Sequence, residues 1–241
     1  SDSSGRLCKL QALVSKDFAK RKWVRKRCEY TRDRVFAALD SITESGLFHD
    51  QISAWLNGAS LTTYVLLMAG LKNTTVRKRY LAARELLADY DLLDFYEALL
   101  EVSGFARISQ MRVEHHLALV TDVFDVAKTM VKTPYRFASD VSDIGRPIAI
   151  DGSQELIERG YHREALFYLV RTYCRCQHVL LQDAPVKVQD RFGPIFRQLL
   201  GDFGITSFAD LQQRSEQIKE FLPQLWGVAE NIMAANPGIV D

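Results

Sequence analysis

Five polar side chains recur along one line of an otherwise apolar helix. In HREALFYLVRTYCRCQHVLLQ (residues 162–182), the helical period of about 3.6 residues stacks Glu164, Arg171, Arg175, His178 and Gln182 into a single ridge. Leu166, Leu169, Tyr173, Cys176 and Leu180 form an apolar stripe, and Phe167, Val170, Cys174 and Leu181 cover much of the remainder. Such a helix belongs in the middle of a bundle, where charged groups are costly unless paired or facing a cavity. The ridge is therefore expected to face a polar partner, a cleft or a subunit interface. Within it, Arg171 and His178 lie on the same face two turns apart. Glu164 is placed to pair with Arg171 or with a neighbouring helix.

Two further segments are phosphate-binding candidates. KDFAKRKWVRKR (residues 16–27), followed by Arg32 and Arg34, has a positive excess over Asp17, Glu29 and Asp33. A face of this kind, with Arg25 on it, attracts phosphates, and Trp23 is a candidate for stacking on a base. A solvated helix face accounts for the same run. Lys72, Arg77, Lys78 and Arg79 surround a helix start, where free backbone N–H groups favour anions. A capped turn between two core helices explains the same residues more cheaply.

Metal chemistry is not expected. His115 and His116 are adjacent, so they point about 100° apart and do not form a chelating i, i+4 pair. His116, on the flank of an apolar line, reads as a packed core-edge histidine. Cys8, Cys28, Cys174 and Cys176 show neither a CxxC pair nor zinc-ligand spacing, and Cys174 and Cys176 sit about 200° apart around their helix. Reduced thiols in a cytoplasmic protein are the simplest account. A Gly-rich phosphate loop is absent, and no Ser or Cys has the context of a nucleophile.

Nearly all of the chain repeats at helical period. Residues 7–42 form a long helical stretch with room for one break, carrying Cys28, Val35, Leu39 and Ile42 on one apolar line, and Ser45-Gly46 ends it. Residues 50–70 make a second, strongly apolar helix closed by Gly70. Asn73-Thr74-Thr75 supplies N-cap candidates for residues 76–90, and residues 92–102 end at Gly104. Residues 109–131 step cleanly through Val113, Leu117, Val120, Phe124, Ala127 and Val131. Residues 132–151, with two prolines and a glycine, are the one long loop; such loops in compact domains are often functional or mobile. Helices follow over 153–159, 162–182 after Gly160, 187–203 after Asp183-Ala184-Pro185, and 207–235, where Pro223 is a kink candidate. No segment has the alternation of a strand. The prediction is an all-α bundle of about eight helices, with residues 1–46 as a long basic N-terminal segment and 47–241 as the bundle, or one continuous domain over 1–241.

Composition sets outer limits. The 241 residues suffice for a full core, and 47% hydrophobic and 25% charged residues are ordinary globular values. A formal net charge of +1 gives no global signal for nucleic acid. The longest apolar run, residues 61–71, is too short to span a bilayer, so no membrane partner is expected. The opening SDSSGRL has neither signal-peptide form nor an initiator Met, as expected of a chain that is processed, cut or part of a longer protein.

SLTTYVLLMAGLKNTTVRKRYLAARELLADYDLLDFYEALLE (residues 60–101) and ELIERGYHREALFYLVRTYCRCQHVLLQDAP (residues 155–185) together resemble the helical C-terminal portion of bacterial nucleotidyltransferase-like proteins. In that family a bundle related to kanamycin-nucleotidyltransferase C-terminal and HEPN domains follows a catalytic α/β domain. The catalytic domain carries a Gly-Ser pair leading into an Asp-x-Asp/Glu motif, whose carboxylates hold the metal ions that activate a nucleoside triphosphate. This chain lacks that combination; Asp140 and Asp143 are three apart and without the Gly-Ser lead. The resemblance thus implies a substrate-binding accessory module, with nucleotide and Mg2+ as cofactors only of an upstream domain and none in this chain. Arg25, Lys72, Arg77 and Arg175 are its phosphate-binding candidates. The spacing of Arg171 and His178 also resembles the R-x(4–6)-H motif of HEPN-type ribonucleases. There the Arg would hold the scissile phosphate and the His would act as general base or acid, in a homodimer that joins two such pairs. A protein-interaction scaffold is the third expectation, and whether the chain is an enzyme stays open.

Overall fold

The computed structural model describes residues 4–241, and every regular element among them is helical. The ten α-helices are α1 (Arg6–Asp17), α2 (Arg21–Asp40), α3 (Phe48–Ala69), α4 (Arg79–Asp89), α5 (Leu93–Val102), α6 (Gln110–Ala127), α7 (Gly152–Glu158), α8 (His162–Asp183), α9 (Val186–Gly201) and α10 (Phe208–Ala235). Short 3-10 turns at Val76–Lys78 and Ala138–Asp140 and a π-helical turn at Pro147–Asp151 join them. The count exceeds eight partly because the N-terminal stretch is two helices. Lys20 leaves the helix with ψ 132°, and the chain's last residues pair there. Arg21 N–H donates to the Val240 carbonyl at 2.7 Å, and Val240 N–H to that of Ala19 at 3.1 Å.

Helices α3 and α8 are the two axes of the body. Helix α3 packs against α2, α4, α8 and α10, while α8 packs against α3, α4, α6, α7 and α9. The apolar stripe predicted on α8 is buried throughout, as are Phe167, Val170 and Cys174, but Leu181 is exposed because α8 is near its end there. Val24, Cys28, Val35 and Leu39 join α2 to the common core, so residues 21–40 pack into the same body as α3, whereas α1 buries nothing. Gly58 permits this: a Cβ there would lie 2.6 Å from Leu39 Cδ2. By length and mean hydropathy α3 is apolar enough to cross a membrane, contrary to the expectation from apolar runs, yet most of it is enclosed by other helices.

Two helix ends differ in mechanism from their sequence signals. Gly160 takes a φ of 83° just past α7, as a C-terminal glycine should. After α3 it is Leu71, not Gly70, that takes the left-handed conformation, with a φ of 54°. Gly70 is required instead by close approach, since a Cβ would meet Leu86 Cδ1 at 2.6 Å. The Asn73-Thr74-Thr75 caps are also corrected: Thr75 precedes the 3-10 turn without a side-chain cap bond, and α4 begins at Arg79. Helix α10 runs on through Pro223, opened by a capping box in which Ser207 and Asp210 bond each other's backbone N–H.

Candidate functional site

A cleft of about 400 Å3 opens between the C-terminal half of α2, the first half of α3, the loop before α7 and the middle of α8. Arg34 lines it from α2 and Ser41 from just past that helix's end, Ser53 and Asn57 from α3, Tyr135, Arg136 and Phe137 from the loop, and Arg171 and Arg175 from α8. The size falls within the range of small-ligand sites, roughly 300–1,000 Å3. Residues 135–137 of the long loop therefore form a wall of the cleft.

Each element is where it is for a local reason. The loop is tied to the body by charge: the Asp183 carboxylate accepts hydrogen bonds from the backbone N–H groups of Lys132 and Thr133 and from the Thr133 hydroxyl. Lys128 pairs with Asp143 at 2.9 Å, and Arg146 bridges Asp125 and Asp151. Asp140, on the 3-10 turn, pairs with Arg175 at 2.8 Å. Arg175 is buried and lies over the Phe137 ring, 4.7 Å from its centroid.

The electrostatics of the cleft are lopsided. Among the described residues, no carboxylate comes within ion-pair distance of Arg34, Arg79, Arg136 or Arg171. Arg171 is largely buried, and its Nε has no hydrogen-bond partner. Burial, followed by the charges of Arg175 and Arg79, pushes the Arg171 guanidinium below its ordinary range. Arg79, behind it, lies over Tyr64 at 4.6 Å and donates to Ser60 Oγ at 3.3 Å, but its Nε is likewise unpartnered. Burial lowers Arg79 as well. Arg171 and Arg175 are enclosed while Arg34 and Arg136 are exposed, and four cations answered by one carboxylate give the cleft a positive bias. Burial also raises the Tyr135 hydroxyl to about 12, so it faces the cleft neutral.

His178 does not line the cleft. Its ring stacks on Tyr135 with centroids 4.1 Å apart, and Nδ1 lies 3.3 Å from His49 Nε2. The Tyr135 ring thus touches His178 while lining the cavity that holds Arg171. The rest of the ridge disperses: Glu164 is buried and accepts from the Tyr96 hydroxyl at 2.9 Å, with Arg84 at 3.8 Å, and Gln182 is exposed. Glu164 therefore pairs with α5 and α4 and not with Arg171.

Three phosphate candidates lie outside the cleft. Arg25 is paired with Glu29 and Glu230 and lies over Trp226. Lys72 is exposed, 3.7 Å from Asp89. Arg77 donates to the Gly152 carbonyl and lies 3.8 Å from Glu155, so it fastens the start of α7; a Cβ on Gly152 would meet its guanidinium carbon at 2.6 Å. Trp23 has Lys22 and Lys26 over its ring. One Asp-x-Asp spacing exists, Asp89-Tyr90-Asp91, but it caps the end of α4, where Asp91 has a φ of 59° and Asp89 faces Lys72. His116 is fully buried with Nε2 2.6 Å from Asp202, a packed histidine as its position suggested. No disulfide joins the cysteines of the described residues, and burial raises the Cys174 thiol to about 12.

Of the expected site residues, the cleft brings Arg171 and Arg175 together and adds Arg34 and Arg136, while the charge of Arg79 acts on Arg171 from outside the lining. Tyr135-Arg136-Phe137 was legible as an arginine between aromatics in the long loop, but nothing in its spacing ties it to α8. No family model, curated protein or solved structure matches the chain.

Proposed function

We propose that this helical body is a ligand-binding accessory module of nucleotidyltransferase-like type, and that its arginine cleft holds the phosphate of a nucleotide-sized ligand, a free nucleotide or the terminal nucleotide of an RNA. The observation that carries this reading is the convergence of Arg34, Arg136, Arg171 and Arg175 on one cavity, where a single ion pair, Arg175 with Asp140, answers them. Arginine forks suit phosphate oxygens, and Tyr135 and Phe137 offer rings to a base. Arg25, Lys72 and Arg77 do not line this cleft and are not part of the proposed binding set.

Calorimetric titration with AMP, ATP and inorganic phosphate, in EDTA and at low salt, tests the proposal. Binding of a nucleotide that weakens at least tenfold in Arg136→Ala and Arg171→Met, and not in Lys72→Ala, supports it. No heat with any of the three, and no shift of a labelled RNA, overturns it.

A ribonuclease reading has one observation in its favour: the ring that lines the Arg171 cleft also stacks on His178. In that reading Tyr135 swings aside, His178 becomes the general base or acid, and a homodimer completes the site. RNA cleavage in EDTA by the parent chain, lost in His178→Ala, is its test.

A further inference from the structure

On the other side of Tyr135 from the cleft, three potential ligand atoms converge. His49 and Asp50 stand in the first turn of α3, and His178 comes from the second half of α8. His49 Nε2 is 3.3 Å from His178 Nδ1 and 3.4 Å from Asp50 Oδ1, and the three donor atoms all lie within 4.8 Å of one another. Metal–nitrogen bonds of about 2.0–2.1 Å in a tetrahedron place neighbouring ligand atoms about 3.3 Å apart. Two of the three edges thus already have the length a four-coordinate ion would impose.

We propose that His49, Asp50 and His178 form a binding site for a divalent transition-metal ion of zinc type, with three protein ligands and a fourth position open to solvent. The donor set argues for the ion's class. Two imidazoles and one carboxylate suit zinc and its neighbours, whereas magnesium and calcium prefer oxygen donors throughout. Without an ion, a nitrogen of the buried His49 and one of the half-buried His178 face each other at hydrogen-bond distance. The His49 Nδ1 is meanwhile buried without a partner. Asp50, the more exposed ligand, marks the side from which water would complete the shell.

Placement gives the site a consequence. An ion there would fasten the start of α3 to α8, and it would fix the His178 ring against which Tyr135 stacks. The Ser53 hydroxyl, which lines the cleft, donates to the His49 carbonyl at 2.7 Å. Metal occupancy would therefore set the position of one cleft wall. The site does not depend on what the cleft binds.

The test uses the full, untagged chain stripped with EDTA and dialysed. ZnCl2 is titrated by calorimetry, and CoCl2 by visible absorption, whose intense d–d bands report four-coordinate geometry. Expected is one equivalent bound, with Zn2+ affinity falling at least a hundredfold in His49→Gln and in His178→Gln and about tenfold in Asp50→Asn, while Cys8→Ser binds as the parent does. Circular dichroism confirms that each variant keeps its helices, and the parent titration stands whether or not they fold. Failure of the parent to bind Zn2+ or Co2+, or binding unchanged in both histidine variants, overturns the site and leaves a His–His hydrogen bond only.

Discussion

Arg171→Met should move intrinsic stability and ligand response in opposite directions. The guanidinium is largely buried, its Nε lacks an acceptor, and Arg175 and Arg79 both repel it. Methionine keeps an apolar stem of similar reach and removes the charge. The rings of Phe137 and Phe167 lie 6.0 Å from the guanidinium, at the outer limit of useful cation–π distance, so little attraction disappears with it. Replacing buried charged groups by apolar ones ranges from neutral to a gain of 1–4 kcal/mol, and partial solvation puts this case at about 1 kcal/mol. An unfolding entropy of about 2.1 cal/mol/K per residue gives roughly 0.5 kcal/mol/K for this chain length, so the ligand-free variant should melt about 2 °C higher. With AMP at a hundred times its Kd, the parent gains about 2.7 kcal/mol, or about 5 °C. Loss of a charge-assisted contact of about 2 kcal/mol raises Kd roughly thirtyfold and cuts the variant's ligand shift to about 2 °C. Differential scanning calorimetry at fixed low salt, with and without AMP, reads both quantities. A variant that melts lower than the parent without ligand, yet keeps the full ligand shift, would refute the reasoning: Arg171 would then be a structural contact.

Other perturbations follow from the same geometry. Asp140→Asn frees Arg175 from its carboxylate and should tighten nucleotide binding severalfold in calorimetric titration, with weaker salt tolerance of the loop. Tyr96→Phe removes the hydroxyl that Glu164 accepts and should cost about 1.5–3 kcal/mol in urea unfolding, because the carboxylate stays buried. Gly58→Ala drives a methyl into Leu39; an overpacking cost of 1–3 kcal/mol against a helix-propensity gain of up to about 1 leaves a loss of about 1 kcal/mol in the same assay. For acid, His116 is one sensitive group, beside the likewise buried His49: burial outweighs Asp202 and holds its pKa below the ordinary 6.5. The unfolded chain then binds the proton more readily, so this contribution to stability is full above 6.5 and is lost as pH falls below it. Melting temperature should fall from pH 7 to pH 5, and less steeply in His116→Gln.

Periodicity carried most of the fold into view. The apolar step along α8 is buried throughout and that along α6 at Val113, Val120, Phe124 and Ala127, with Leu117 half-buried and Val131 beyond the helix end, because a helix in a packed bundle must hide one stripe whatever its neighbours are. The break before α2 has no local signal, because residues 18–20 remain compatible with helix; it arises from pairing with Val240, 220 positions away from Lys20. The candidate site was half legible. Arg171 and Arg175 stood out as charges on a greasy helix. Arg34 was hidden in a run of surface charge, and Arg136 in a loop without period. His49 had no signal at all, since the distance that makes it interesting is to a residue 129 positions later. By contrast Arg77 matched a phosphate pattern and serves instead to hold Gly152, a contact that only tertiary structure defines.

The clasp between Val240 and the link before α2 also sets a ruler. Helix α2 rises from that clasp, and Arg34 sits thirteen residues beyond Arg21 on it, roughly 20 Å along the axis. Anything joined to the C-terminal residue starts at one pole of α2, while the cleft lies toward the other. A second module attached there would share a ligand with Arg34 only by folding back over the flank of α2 and α10, the flank where Arg25 and Arg32 lie over Trp226. On that flank the arginines are already held, Arg25 by Glu29 and Glu230 and both Arg25 and Arg32 by the Trp226 ring, so the ground between clasp and cleft is packed surface rather than open charge.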